Sequence, residues 1–158
     1  MIAAAALSMA LVASPAICGA TPPPLTMRAE HPDMTGPSFP YQGEYFRDTQ
    51  KRFTKCILYM ESRYHYYSTA RAAGYFGGFQ FSKPLTRGAT WMITPELKGM
   101  FGKVDGKEIA ETLRDIEMHQ WHPFYQHMAF FTVLNWKGDA SGAKHWSFGS
   151  GGCAKWLP

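Results

Sequence analysis

Glu61 ends a run of helical character, Cys56-Ile-Leu-Tyr-Met-Glu61. An aromatic stretch follows, and then the glycine-rich Gly74-Tyr-Phe-Gly-Gly-Phe-Gln-Phe81. From Arg63 to Pro95 the chain carries no Asp or Glu, while Arg63, Arg71, Lys83 and Arg87 all fall there. A lone carboxylate beside aromatics and hydrogen-bonding groups suits general acid work on a sugar. A free Glu titrates near about 4.3, so it must be shifted upward to hold a proton at neutrality. Apolar neighbours do this by desolvating the charged form, and Tyr59, Met60, Phe79 and Phe81 are the candidates. Arg63 would oppose it, but helical positions two apart do not share a face. A carboxylate in the last turn of a helix gains nothing from the helix dipole, which hints at a use. Most glycosidases flank the bond with two carboxylates. Here the acids after Glu61 resume at Glu96 and lie mostly between Asp105 and Glu117. The simpler mechanism uses one acid twice: Glu61 protonates the leaving oxygen, then accepts a proton from a nucleophile within the substrate.

The elements needed to position this residue are mainly helical. Phe46, Phe53, Ile57 and Met60 recur at helical spacing and predict a helix over 46–62. Residues 74–81 read as a turn and a short strand within a small irregular hairpin. Ser82 is placed to cap a helix with Pro84 in its first turn, running over 83–93 and stopping before Pro95. Asp105 and Glu108 fit a capping box for a helix over 106–118. Pro123 opens a last helix over 123–136, with Phe124, Met128, Phe131 and Asn135 on one face and an almost wholly apolar run from Ala129 to Leu134. This is the candidate central helix. The glycines from Gly138 to Gly152 predict a loop-rich closure ending at Cys153. The expected class is mainly α (α+β), with a small hairpin beside the candidate site.

At 158 residues the chain holds one domain with a core, plus a tail. Residues 1–20 read as a signal peptide: the apolar run 2–13 is too short to span a bilayer, and small residues follow it. No Lys or Arg precedes that run, and a lipidated Cys18 is the rival reading. Residues 21–44 hold most of the prolines and read as a linker or extended arm, leaving 45–158 as the domain. Removing the signal leaves Cys56 and Cys153, an even pair in an oxidising compartment, which predicts a disulfide; two free buried thiols are the alternative. The formal charge of +4 is scattered rather than clustered, so nucleic acid is not an expected partner, and an acidic wall polymer fits as well. His119, His122 and His127 invite a zinc reading, but Pro123 interrupts the helix that would align them, so no metal is expected. No phosphate-cradling or dinucleotide motif is present and no cofactor is expected. Trp91 and Trp146 are placed either to stack on sugars or to pack inside; Tyr75 and Phe79 carry the same pair of readings.

Cys56 to Glu61-Ser62, followed by Gly74-Tyr-Phe-Gly-Gly-Phe-Gln-Phe-Ser82, resembles the transglycosylase-like domain of resuscitation-promoting factors. Those domains carry C-E-S and then G-Y-Y-G-G-L-Q-F-S, and lysozyme-like lytic transglycosylases share the E-S and the G-hydrophobic-hydrophobic-Q turn. The resemblance covers about 30 residues closely. It implies a lysozyme-like fold, secretion to the cell wall, and cleavage of peptidoglycan between MurNAc and GlcNAc. It implies Glu61 as acid/base, Gln80 beside it in the groove, Tyr75 lining the groove, and Thr69 where lysozymes often place a second acid. Glu61 is followed here by Ser-Arg-Tyr instead of Ser-Gly-Gly, and the cysteine stands five residues before Glu61 instead of next to it.

The expected function is a secreted lytic transglycosylase acting on peptidoglycan glycan strands. The expected site residues are Glu61 with Gln80, Tyr75, Thr69 and Trp146, stapled by Cys56–Cys153. A monomer without stable membrane insertion is expected. A hydrolytic muramidase, with a second acid or a water held by Thr69 or Gln80, is the nearest alternative. A wall-binding module that kept the groove without turnover is the alternative from another class.

Overall fold

The computed structural model describes residues 21–26, 40–70, 73–146 and 152–157. The proposed signal peptide, residues 1–20, lies outside them. Four helices dominate, α1 (Lys51–Ser62), α2 (Lys83–Phe101), α3 (Lys103–Asp115) and α4 (Pro123–Asn135), with short 3-10 turns between and after them. Three two-residue strands, β1 (Thr69–Ala70), β2 (Tyr75–Phe76) and β3 (Phe81–Ser82), pair antiparallel in the order β1-β2-β3. The architecture is mainly α with a small antiparallel sheet, as the periodicity predicts. No helix of the described residues is long and apolar enough to cross a membrane.

All thirteen residues of α4 are buried. A helix buried on every side needs an apolar surface all round, and Ala129 to Leu134 supply it. Phe130 stacks on Phe79, with ring centroids 4.2 Å apart, and meets Trp146 at 4.6 Å. The far end of α4 is fixed by polar groups. The amides of Asn135 and Gln50 exchange hydrogen bonds at 2.7 and 2.8 Å, and Asn135 Nδ2 also donates to Tyr45 O at 2.8 Å. These bonds seat the start of α1 against the end of α4.

Three boundaries differ from the sequence reading. The helix begun at 46 is a 3-10 turn over Asp48–Gln50, and α1 proper starts at Lys51. The helix expected to stop before Pro95 runs through it to Phe101. Pro95 is exposed, so the Trp91 carbonyl that loses its i+4 donor lies on the wet side of the helix, while Ile93 and Leu97 remain fully buried. Packing against α3 outweighs the local break. The third helix begins at Lys103 and ends at Asp115, not over 106–118. Gly102, at φ 95°, reverses the chain directly after α2 and takes the N-cap position, where no side chain caps it. Asp105 therefore lies in the first turn, and the capping box appears instead around the 3-10 turn Met118–Gln120, between Glu117 and Gln120. Ser82 caps α2 as expected, accepting from Leu85 N at 3.4 Å.

Cys56 on α1 and Cys153 are bridged across a separation of 97 residues. In the loop-closure picture such a staple stabilises by roughly 4–5 kcal/mol. The segment read as an arm reaches the core. Tyr41 is fully buried, Tyr125 Oη donates to Pro23 O at 2.9 Å, and His122 N donates to Leu25 O at 2.9 Å.

Candidate active site

Glu61 occupies the last turn of α1, half-buried, with no hydrogen bond or ion pair among the described residues. Burial alone pushes its carboxyl above the ordinary range. The opposing cation is turned away: the Arg63 guanidinium lies 4.2 Å from the centroid of the Tyr59 ring. Phe79 and Phe81 are wholly buried core residues, whereas Tyr59 and Met60 are largely exposed.

The backbone beyond Glu61 is unusual. Arg63 has φ 55° and Tyr64 φ 69°, two consecutive side-chain-bearing residues in the left-handed region. Such residues cost of order 1–3 kcal/mol each and persist only where the surroundings fix them. Arg63 N donates to Tyr59 O at 2.9 Å and Tyr64 N to Leu58 O at 3.2 Å, closing the last carbonyls of α1. The Tyr64 ring also packs on Tyr59, centroids 5.5 Å apart. Both positions thus take up glycine-like backbone.

The glycine-rich segment forms a tight turn between β2 and β3. Gly77 N donates to Ser68 O at 2.8 Å and Gln80 N to Gly77 O at 3.2 Å. Gly77 has φ 80°, and a Cβ there would meet Gln126 Oε1 and Met118 Cγ at 2.7 Å. A Cβ on Gly78 would meet Leu58 Cδ1 at 2.7 Å and the Tyr66 ring at 3.0 Å. Glycine at 78 lets the turn lie directly on α1 at Leu58, one turn before Glu61, and glycine at 77 lets it close on Gln126.

Sequence reasoning missed the residue that holds these pieces together. Gln126, fully buried on α4, donates from Nε2 to Tyr66 O at 3.0 Å and to Trp121 O at 2.9 Å, and its Oε1 accepts from Gly78 N at 2.8 Å. It clamps the loop after Glu61 to the glycine turn. Beside it, Tyr66 Oη and His127 Nε2 are 2.6 Å apart, and burial pushes His127 down to about 3, so it stays neutral. The available signal was a Gln-His pair inside the most apolar helix: buried polar groups need partners, and these find theirs in the candidate site.

The other expected residues divide. Gln80, itself at φ 50°, sits on the turn and donates from Nε2 to Gly77 O at 2.7 Å. Thr69 pairs with Phe76, and Tyr75 with Ala70 and Ser82. Strand alternation therefore sends Tyr75 and Thr69 to opposite faces of the sheet. Thr69 lies at the Gly77–Gln80 end, and Tyr75 is largely exposed. Trp146, expected on the groove wall, belongs to the core: it is 3 % exposed, donates from Nε1 to Phe79 O at 2.8 Å, and packs on Phe81 and Phe130. Its faces are covered, so it offers no platform to a sugar.

Several other carboxylates among the described residues are engaged elsewhere. Glu96 binds Tyr41, Glu117 pairs with Lys83 at 3.2 Å, and Glu111 with Lys107 at 3.7 Å. Asp48 pairs with Lys51, and Asp139 accepts from Ser141 N at 2.9 Å. Among the described residues no three His, Cys, Asp or Glu side chains converge on one point. His122 caps α4 and His119 stacks on Phe76. A small surface pocket of about 140 Å³ opens between Phe76, Lys83, Arg87 and Arg114; Glu61 does not line it.

No family model, no curated protein and no solved structure matches the chain.

Proposed function

We propose that the chain is a lytic transglycosylase of the lysozyme-like kind, acting on peptidoglycan between MurNAc and GlcNAc. One observation carries the reading: Glu61 is a half-buried carboxylate, raised by desolvation and without a described partner, on the helix whose Leu58 packs against the glycine turn that bears Gln80. The acid form of Glu61 gives its proton to the glycosidic oxygen as the C1–O bond breaks. The resulting carboxylate then takes the proton from the MurNAc 6-hydroxyl as that oxygen bonds C1, leaving a 1,6-anhydro end and a restored acid. The engagement of Glu96, Glu117, Glu111, Asp48 and Asp139 elsewhere supports one carboxylate in both roles. The left-handed backbone at Arg63 and Tyr64 accommodates Arg-Tyr where the resembled domains carry Gly-Gly, so that difference gives no reason to prefer a binding-only module. Export by the leading segment, and a disulfide that suits an oxidising compartment, belong to the same proposal.

The test is incubation of purified peptidoglycan with the wild-type chain and with Glu61→Gln, reading soluble fragments by mass. Anhydro-muropeptides from the wild type alone are the expected result. Reducing-end fragments instead would make it a hydrolytic muramidase. Equal release by both would move the acid elsewhere, and retention without release by either would leave a wall-binding module.

A further inference from the structure

The acid-free interval of the sequence has an outcome that the Glu61 site does not use. It supplies most of α2, and the solvent face of that helix carries no carboxylate. The only acid of the helix, Glu96, is turned inward onto Tyr41. Arg87 and Lys98 stand exposed one turn before and two turns after Trp91, which is itself 72 % exposed. Small residues flank the indole along the helix, Gly88 at i−3 and Pro95 at i+4. A Cβ on Gly88 would meet nothing within 4 Å, so that side is open. Trp136, 38 % exposed at the end of α4, meets Trp91 with ring centroids 5.7 Å apart, and stacks on Tyr45 at 5.8 Å. Three aromatic rings thus form one surface beside a cationic helix face.

We propose that this ridge is a second binding site, one that holds a carboxylate-bearing glycan strand outside the Glu61 site. The chemistry is complementary in both parts. The apolar C–H face of a pyranose ring covers an exposed indole, and Arg87 and Lys98 pair with sugar or stem carboxylates. Along the chain, α2 begins directly after β3, which follows the Gly77–Gln80 turn. Trp91 lies eight residues beyond the start of α2, about 12 Å along the helix axis. The choice of a glycan as occupant rests on the reading of Glu61 given above.

The test uses the full chain carrying Glu61→Gln, so that no glycan is consumed, in co-sedimentation with purified peptidoglycan sacculi and with chitin, an uncharged polymer. Adding Trp91→Ala is expected to weaken binding to sacculi about tenfold, equivalent to ~1.4 kcal/mol, with an unchanged circular dichroism spectrum. Adding Arg87→Gln together with Lys98→Gln is expected to erase the preference for sacculi over chitin. Sacculus binding indifferent to Trp91, absence of binding by the parent, or a Trp91-dependent dimer in sedimentation velocity would each overturn the ridge. The two proposals separate cleanly. Trp91-dependent binding with no fragments from the wild type sinks the Glu61 reading and keeps the ridge. Fragments with Trp91-independent binding do the reverse.

Discussion

Glu61 and Glu96 are both carboxylates on helices, and burial raises both above the ordinary range. Their surroundings differ in kind. The Glu96 oxygens lie 2.7 and 2.8 Å from the Tyr41 hydroxyl, which donates to them, and Oε1 accepts from Glu44 N at 2.7 Å. Tyr41 Oη in turn accepts from Tyr45 N at 3.1 Å. Those bonds pull back against the desolvation of Glu96, and the chain before α1 is latched to α2. Glu61 has no described bond to oppose its burial. Glu96 is satisfied and builds structure; Glu61 is unsatisfied and open to solvent on one side.

Substitutions at the two acids and their supports would break or sharpen this contrast. The largest effect belongs to Glu61→Gln, which should lower the rate of glycan release by about 10²–10⁴-fold. It should also stabilise the fold at neutral pH. A folded-state pKa above the unfolded one means that the native state binds more protons across that window, so stability falls as pH rises through it. Glu61→Gln removes that loss: its Tm should exceed the wild type's near neutrality, and the gap should close on acidification below the ordinary carboxyl range. A gap that widens in acid would show Glu61 to be stabilised as an anion.

Replacing Cys56 and Cys153 together by Ala should cost about 2–5 kcal/mol. Cys56 is on the helix of Glu61, so hydrogen exchange should speed up in α1 and around 152–157 more than in α2. Uniform acceleration would mean that the staple acts only through the unfolded chain. Tyr41→Phe should cost about 1–3 kcal/mol, because it leaves Glu96 short of a donor and Tyr45 N short of an acceptor. Denaturant unfolding measures this, and the rate of glycan release should stay unchanged. A fall in rate with no loss of stability would erase the division between the two acids. The smallest effect is at the end of α1. Arg63→Gly should stabilise by up to about 1 kcal/mol, since glycine takes φ 55° without steric cost, offset in part by the lost stacking on Tyr59.

Much of this was legible in order of residues. The periodicity of 123–136, the Ser82 cap and the cysteine pair all follow from side-chain type and spacing, which act locally or over one helix face. The sequence could not show that Pro95 stays inside α2, because that depends on which side of the helix meets water. Nor could it show that Trp146 lies inside and Trp91 outside, since tryptophan suits both places and only the neighbours decide. The arm before residue 45 reads as linker from its prolines, yet Tyr41 is buried because Glu96, 55 residues away, offers its hydroxyl a partner. Gln126 likewise has no local meaning: its three bonds reach a loop and a turn that only the assembled tertiary structure brings to α4. Local chemistry was therefore written in the sequence. Which buried acid is satisfied was decided by the long-range partners the fold delivered, because a buried polar group's free energy depends on the bonds it finds there.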